Sequence, residues 1–464
     1  MTTGSWFPGR RALVAVTGGA VVAGGLLAAG SFAQGSEDDG SVSKAGPVLR
    51  AKSGEAIGAD VVVFSFYDGI HSYGSADGYV GYSIGTRSCN RGDAHLNWCS
   101  DVNAGHCAAG ATVLDHPVIA QNLYRLKDGR FEQIGMSWLK HGFQSTNSAT
   151  AGCNGASGTG GCSPSTPEGS AVLRIGCSDP YSWYLNGGQP LGRRSEVDGT
   201  TVVFPSPSSP SGPYTVYDER IKVPAADVDP TLNPGAMYWG EAQYFAKDDA
   251  ASGNALNNAS YQRAAVASGS PDYTLSATGT FFEQQPAINA WRAQDPSVFL
   301  ANADVPGNPI QRFQVARKVT ELGGGQWHYE YAVRNHNSDR SARAFAVKFP
   351  QATTFTNIGF SDVDSHSGEP YATTDWSAAT MSDSVAWSTL DFATDENANA
   401  LRFATMYNFW FDADHPPSNG ESGVLHDIVL FKPGSPMELT FDGFRDLFIN
   451  GFEGGDTTAW SGAS

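Results

Sequence analysis

Two groups of residues have the types and spacing of metal ligands. If the segment DVDSH is extended, Asp362, Asp364 and His366 lie on one side of it, because side chains alternate along a strand. Two carboxylates and one imidazole suit manganese, iron or zinc better than calcium. His116 and His141 form the second group, and a metal held by either group could activate water or oxygen. The alternatives are an acidic turn with a surface histidine and an ordinary hairpin that ends in histidines.

The loop AKDDAASGNALNNASY offers oxygen atoms of the kind that calcium binds. Its carboxylates and amides come from Asp248, Asp249, Asn254 and Asn258, grouped around a glycine. The spacing is not that of a helix–loop–helix calcium site. The alternative is that these side chains bond to their own backbone in turns, as Asx residues commonly do.

Aromatic and basic side chains could bind a polymer directly. Tryptophans such as Trp138 can form stacking platforms for sugars, although in β domains they more often belong to the core or its rim. Arg193 and Arg194 could hold an anionic group through paired hydrogen bonds. The alternative for the two arginines is a surface ion pair with Glu196. The sequence contains no glycine-rich phosphate loop and no dinucleotide-binding motif.

The two histidines at 116 and 141 bracket a predicted β-hairpin. The dipeptide DG at 128–129 separates two alternating runs, and glycine accepts the positive φ that a tight turn needs. With a two-residue loop, Arg125 faces Glu132 and His116 faces His141. With a three-residue loop, the histidines are offset by one residue. The sequence predicts the hairpin and leaves the histidine pair open.

The elements that position these residues are predicted to be mainly strands. Short alternating runs, interrupted every few residues by Gly, Asn, Asp or Pro, are typical of β structure. One short helix is predicted at Pro286–Gln294, because proline suits the first position of a helix. We expect a β-rich domain at 59–308 that contains the hairpin and is stapled by disulfides.

A second domain is predicted at 309–440 as an immunoglobulin-like β-sandwich. The runs FQVARKVTEL, WHYEYAVRN and ARAFAVKFP have the spacing of sequential antiparallel strands. In the middle run, Trp327, Tyr329, Tyr331 and Val333 share one face, which predicts that this face packs in the core.

The cysteines predict a disulfide framework. An even number in an exported chain favours up to three bridges, and the connectivity cannot be deduced from spacing alone. A local bridge between the two cysteines that flank NGASGTGG is one alternative. The six residues are Cys89, Cys99, Cys107, Cys153, Cys162 and Cys177.

The ends of the chain carry predicted export features. Paired arginines, a weakly apolar run and the small-x-small pattern at Ser31–Ala33 predict a signal peptide at 1–33, with an uncleaved anchor as the alternative. Residues 34–58 are predicted to be a disordered tether. No later apolar run is long enough to span a membrane. The net charge of −18 argues against nucleic acid as a partner.

Several long segments together resemble a family of uncharacterised exported bacterial proteins of planctomycetes and soil gammaproteobacteria. They include HPVIAQNLYRLKDGRFEQIGMSWLKHGF, WHYEYAVRNHNSDR and IGFSDVDSHSGEPYATTDW, and the resemblance covers roughly 58–435. It implies export and assigns no catalytic role to any residue. The tail at 441–464 contains DLFINGFEGGDTTAWS, which is similar to a terminal segment of many exported gammaproteobacterial proteins. Asn450 and Gly454 depart from the usual Asp and Ser of that segment.

The function that these features favour is extracellular or cell-surface binding of a glycan or another envelope polymer, with calcium or one transition metal as a candidate cofactor. The main alternative is a metal-dependent extracellular enzyme that acts on a polymer. A structural envelope protein is a third. The binding function predicts an exposed row of aromatic rings, whereas the enzyme predicts His116 and His141 in one concave site with a carboxylate.

Overall fold

The computed structural model describes residues 57–155, 161–163, 165, 169–188, 191–205, 215–267, 272–417 and 423–442. The predicted signal peptide at 1–33, nearly all of the predicted tether at 34–58 and nearly all of the tail at 441–464 lie outside the described residues.

Thirteen strands form the first half of the described chain. Runs of β-branched and aromatic residues account for their extended conformation, since these side chains pack well on a pleated surface. The strands are β1 (Val61–Ala76), β2 (Tyr79–Asn90), β3 (Leu96–Asn97), β4 (Val118–Lys127), β5 (Arg130–Met136), β6 (Leu139–His141), β7 (Val172–Leu173), β8 (Ser178–Tyr181), β9 (Leu191–Gly192), β10 (Ile221–Pro224), β11 (Met237–Phe245), β12 (Ala259–Val266) and β13 (Leu275–Phe282).

Eleven of these strands form one curled sheet. Its order is β1-β2-β10-β5-β4-β11-β12-β13, with β6, β8 and β9 paired beside that path, while β3 and β7 pair with each other. The two edges of the sheet come together through side chains. Ser72 Oγ donates to the carbonyl oxygen of Asp272 at 3.0 Å, and the Tyr82 hydroxyl donates to that of Tyr273 at 2.6 Å. The curl encloses an apolar core that includes Val80, Tyr82, Ile84, Leu123, Ile221, Val223 and Tyr238.

Ten further strands form a β-sandwich. They are β14 (Phe299–Val305), β15 (Gln311–Gly323), β16 (Gln326–Asn335), β17 (Ala342–Lys348), β18 (Phe355–Ser361), β19 (Ser377–Thr380), β20 (Ser384–Ser388), β21 (Thr405–Ala413), β22 (Leu425–Leu430) and β23 (Glu438–Phe441). One antiparallel sheet has the order β14-β15-β16-β21-β18, and the other has the order β19-β20-β17-β22-β23.

The predicted face of WHYEYAV is confirmed. Tyr329, Tyr331 and Val333 are buried between the two sandwich sheets, and Trp327 packs against that core. Ala332, from the opposite face of the same strand, is buried against the curled sheet instead. The β14–β18 sheet is therefore the middle layer of the described structure.

A buried ion pair joins the curled sheet to this middle layer. The side chains of Arg334 on β16 and Glu241 on β11 have no solvent exposure, and Arg334 Nη2 lies 3.1 Å from Glu241 Oε1. The same carboxylate oxygen accepts hydrogen bonds from Asn122 Nδ2 and the Tyr124 hydroxyl, both at 2.9 Å. These bonds offset part of the penalty for removing the charges from water.

The predicted hairpin is confirmed, but the pairing of its two arms shifts register away from the turn. Arg125 faces Glu132 across β4 and β5, and their side chains form an ion pair at 2.9 Å. Both residues of the turn have positive φ, as a two-residue hairpin turn requires. A bulge then shifts the pairing, and β6 pairs Val118 with His141. Of the two registers left open, the one that sets His116 opposite His141 in a single ladder is therefore not formed, and His141 faces Val118 instead.

Helices are short and few in the described residues. The predicted helix is confirmed at α4 (Ile288–Gln294), beginning two residues after Pro286. Three other α-helices are α1 (Trp183–Asn186), α2 (Ala225–Val228) and α3 (Lys247–Ala251), and 3-10 turns occur at Asp101–His106, Gly169–Ala171 and Arg194–Glu196. Within the described ranges, no helix is long and apolar enough to cross a membrane.

All six cysteines are paired. The bridges are Cys89–Cys153, Cys99–Cys107 and Cys162–Cys177. The alternative of a local bridge between Cys153 and Cys162 is therefore wrong, because Cys153 bonds instead to Cys89 near the end of β2. The fold class is confirmed as mainly β, with a disulfide-bonded β-rich part and a β-sandwich. The division at 308–309 into two domains stays a prediction.

Candidate functional site

The structure brings His116 and His141 together through a loop. His116 Nδ1–H donates to the carbonyl oxygens of Cys99 at 2.9 Å and Val113 at 3.0 Å, so its Nε2 accepts from His141 Nδ1 at 3.1 Å. Burial lowers the pKa of both imidazoles, that of His141 to about 3, and neighbouring Lys140 contributes to the latter shift. Both rings are therefore neutral at ordinary pH. A metal bound to His116 Nε2 would have to displace its bond to His141, whereas the Nδ1–H bonds to the carbonyl oxygens could remain. Metal binding here stays a prediction.

Asp362, Asp364 and His366 do not converge. His366 is buried, and its Nε2 donates to the carbonyl oxygen of Arg220 at 2.8 Å. Asp362 Oδ2 accepts from Asn399 Nδ2 at 2.6 Å, whereas Asp364 is exposed. These three side chains point in different directions because β18 ends at Ser361, so the alternation of an extended strand does not apply to them. Burial raises the pKa of Asp362 to about 7 and lowers that of His366 to about 4.

The predicted calcium loop fastens the start of β1. Asp249 accepts from Val61 N at 2.9 Å and from Asn258 Nδ2 at 2.8 Å. Asn254 Nδ2 donates to the carbonyl oxygens of the segment that precedes β1, and Asp248 accepts from Asn97 N. Burial raises the pKa of Asp249 well above its usual range, which favours a neutral carboxyl. Calcium binding at this loop stays a prediction.

Trp138, Arg193 and Arg194 lie together, and two of them are buried. Trp138 donates through its indole N–H to the carbonyl oxygen of Ser367 at 3.2 Å, and the Arg193 guanidinium lies 5.5 Å from its ring centre. The Arg193 side chain is 40% exposed, and its nearest carboxylate atom is Glu196 Oε1 at 4.0 Å. Arg194 donates to three backbone carbonyls and to Asn122 Oδ1, and burial lowers its pKa to about 10. Arg194 therefore holds backbone segments together.

Most tryptophans belong to the core, but one group of aromatic rings reaches the surface. Trp98, Trp239, Trp291 and Trp376 are buried. In contrast, rings from β1, β2, α1 and the segment before β10 form what we call the aromatic strip, with Tyr184 exposed by 69% and Tyr67 by 37%. The aromatic strip consists of Tyr67, His71, Tyr73, Tyr79, Trp183, Tyr184 and Tyr217.

Small residues on the outer face of β2 allow the aromatic strip to form. In YVGYSIGTR the even-numbered side chains point into the core, so Gly81, Ser83 and Gly85 share the outer face. A Cβ at Gly81 would overlap the backbone of Val216, and one at Gly85 would overlap the Tyr67 carbonyl oxygen. The segments that carry the exposed rings therefore lie directly on the backbone of β2.

A bulge in β1 fixes one part of the strip. The ladder with β2 is interrupted between Phe66 and Ile70, where Asp68 and Gly69 have positive φ. Asp68 Oδ1 accepts from the backbone N–H of Trp183 at 3.0 Å, so the bulge holds the first residue of α1. Partial burial raises the pKa of Asp68.

The rings around Trp183 contact one another closely. His71 stacks on Trp183 with ring centres 3.6 Å apart, and Tyr73 and Tyr184 approach Trp183 edge-on at 6.0 and 6.1 Å. The Tyr73 hydroxyl donates to the Trp183 carbonyl oxygen at 3.1 Å. Burial and the charge of Arg220 lower the pKa of His71, which keeps its ring neutral.

A second aromatic pair continues the strip beyond Arg220. Tyr79 and Tyr217 lie with ring centres 5.4 Å apart, and Lys222 Nζ lies 4.1 Å from the centre of the Tyr79 ring. Arg220 joins the two groups, because its guanidinium lies 3.8 Å from the Tyr73 ring and donates to the carbonyl oxygen of Val216 at 3.0 Å.

Sequence reasoning did not single out the strip. Trp183 and Tyr184 are two of many aromatic residues, and no local sequence feature distinguishes them from the buried ones. The alternation of small residues in YVGYSIGTR is the signal that could have indicated a strand covered by other backbone segments. Among the described residues, no group of three or more histidine, cysteine, aspartate or glutamate side chains is arranged to hold a metal ion.

Comparison with protein-family models gave no match, and comparison with curated proteins also gave none. Among solved structures, the chain is similar to the crystal structure of the N-terminal domain of the Streptococcus gordonii adhesin Sgo0707, at 8% identity and a TM-score of 0.17. The match covers 78% of this chain and 61% of that chain. A likeness at this TM-score carries no argument about fold or function.

Proposed function

We propose that the chain is an exported protein that binds a glycan or another envelope polymer through the aromatic strip. The observation that carries the proposal is the clustering of partly exposed rings on one outer face of the curled sheet, with Tyr184 and Tyr67 the most exposed. Aromatic rings combine a large apolar face with low conformational freedom, which suits them to stacking on sugar rings.

Three disulfide bonds support the exported location, because disulfides persist in oxidising compartments and are rare in the cytosol. The predicted signal peptide at 1–33 and the resemblance to exported bacterial proteins point in the same direction.

The metal-dependent enzyme is less well supported by the positions of its candidate residues. His116 and His141 are bonded to each other, and His366 is bonded to backbone carbonyls. A general base must reach the substrate, and these three rings are buried.

The test is retention of the full chain by defined polymers in affinity electrophoresis and sedimentation. Suitable probes are peptidoglycan, chitin, cellulose, mannan and alginate. Tyr184→Ala is the informative variant, because its side chain is largely in solvent and its removal leaves the core unchanged. Leu322→Ala is the matched control, since Leu322 is 54% exposed at the end of β15, outside the strip.

We expect at least one polymer to retain the unsubstituted chain, with retention about tenfold weaker for Tyr184→Ala and unchanged for Leu322→Ala. Equal retention of the two variants would contradict binding through the strip. Failure of all the polymers to retain the unsubstituted chain would contradict the proposed function.

A further inference from the structure

The aromatic strip is elongated along β2. The segment that carries Tyr217 lies over Gly81, Trp183 lies over Ser83 and Gly85, and the β1 bulge that carries Tyr67 also contacts Gly85. From Tyr79 to Arg87 the strand is about 27 Å long, at ~3.4 Å per residue. This length exceeds what one sugar ring can cover.

The parts of the strip form one rigid unit. Arg220 Nε donates to the Gly187 carbonyl oxygen at 3.0 Å, and its Nη1 donates to the carbonyl oxygens of Thr215 at 3.2 Å and Val216 at 3.0 Å. It therefore ties the end of α1 to the segment that carries Tyr217. A ligand that contacts both parts meets rings whose relative positions are already fixed, which lowers the entropy lost on binding.

The charges along the strip do not suit an anionic ligand. The cations face aromatic rings: Arg87 lies 4.9 Å from the centre of Tyr67, and Lys222 lies 4.1 Å from that of Tyr79. The exposed carboxylates of Asp68 and Asp77 flank the same rings, in a chain of net charge −18. Carboxylates accept hydrogen bonds from neutral hydroxyl groups and repel acidic polymers.

From this arrangement we infer that the ligand is a linear, uncharged polysaccharide that lies along β2 and contacts successive parts of the aromatic strip. The inference rests on the proposed function and adds to it the shape and charge of the ligand. The test distinguishes this ligand from an acidic polymer and from a short sugar held at Trp183 alone.

The test uses the full chain and oligosaccharides of increasing length prepared from whichever polymer retains it. Affinity is measured by titration calorimetry at low and high sodium chloride. The variants are Tyr217→Ala, which removes a ring distant from Tyr184, and Tyr217→Phe, which keeps the ring and removes only its hydrogen bond to Asp77. Leu322→Ala again serves as the control.

Affinity is expected to rise about tenfold or more between the disaccharide and the hexasaccharide. It should fall severalfold in Tyr217→Ala for the hexasaccharide only, fall less in Tyr217→Phe, which keeps the ring, and remain unchanged in Leu322→Ala and at high salt. Binding that is independent of chain length, or unaffected by Tyr217→Ala, would overturn the inference and leave the proposed function in place. A steep loss of affinity with salt would identify an acidic ligand and overturn neutrality. Absence of retention by every polymer would instead overturn the proposed function.

Discussion

Gly85 on β2 is the position where one added methyl group tests whether the small outer face of β2 positions the aromatic strip. A Cβ there would overlap the carbonyl oxygen of Tyr67 and the carboxylate of Asp68, and it would lie 2.9 Å from Trp183 N. Because a backbone oxygen cannot rotate away as a flexible side chain can, the bulge in β1 must move. Gly85→Ala should therefore displace Tyr67 and break the hydrogen bond that Trp183 N–H donates to Asp68 Oδ1.

The expected loss of stability follows from these contacts. Overpacking of this kind costs about 1–3 kcal/mol, and loss of a hydrogen bond adds about 0.5–1.5 kcal/mol. We expect Gly85→Ala to lower the free energy of unfolding by about 2–4 kcal/mol and to weaken polymer retention about tenfold, since two parts of the strip move.

The assay is urea unfolding followed by tryptophan fluorescence, with retention measured on the folded variant. Gly105→Ala is the matched control, because a Cβ at Gly105 meets no atom within 4 Å. Its stability should change by less than about 0.5 kcal/mol. A Gly85→Ala variant as stable as Gly105→Ala, with unchanged retention, would refute the role of the small outer face of β2.

Two further predictions concern the layers beneath the site. Glu241→Gln should lower the free energy of unfolding by about 3–5 kcal/mol, because Arg334 is then buried without its partner charge. Adding Arg334→Met should recover part of that loss. If urea unfolding shows that the two losses simply add in the double variant, the ion pair is contradicted. The His328 ring donates hydrogen bonds to Glu330 and Asp412, which raise its pKa above the ordinary value of 6.5. Its stabilising contribution is therefore complete below pH 6.5 and disappears as the pH rises through the raised pKa. His328→Gln should therefore be less stable than the unsubstituted chain by about 0.5–1 kcal/mol at about pH 5.5 and nearly equal to it at about pH 9, and a difference that grows with pH would contradict this assignment.

Local patterns predicted several elements because neighbouring residues determine them. The turn at 128–129, the pair Arg125–Glu132 and helix α4 depend on residues close in sequence. The buried face of β16 follows from strict alternation, which burial between two sheets requires. These features needed no knowledge of distant contacts.

Other features depend on contacts that single-sequence patterns do not encode. Between Leu123 and Tyr124 the pairing of β4 with β5 shifts by one residue at Ile134, so the register set by the turn does not continue to the histidines. Cys153 bonds to Cys89, 64 residues earlier, which spacing alone could not reveal. His366 turns inward because its Nε2–H donates to carbonyl oxygens of the 217–220 segment, which is far away in sequence.

The aromatic strip depends on contacts between distant segments, but it also leaves a local pattern in the sequence. Its rings come from separate segments, so no short motif identifies them. The outer face of β2 is nevertheless visible in YVGYSIGTR, where glycine and serine replace the larger side chains expected on a solvent-facing strand. Partly exposed rings beside such a face are a pattern that can be sought in other β-rich sequences.

The most direct test of the account is amide hydrogen exchange of the full chain with and without the polymer that retains it. We predict that the polymer slows exchange at three places: the bulge at Tyr67–Gly69, α1, and the segment 215–217. Slowed exchange centred instead on His116 and His141, or on the loop that contains Asp362 and Asp364, would contradict binding through the aromatic strip.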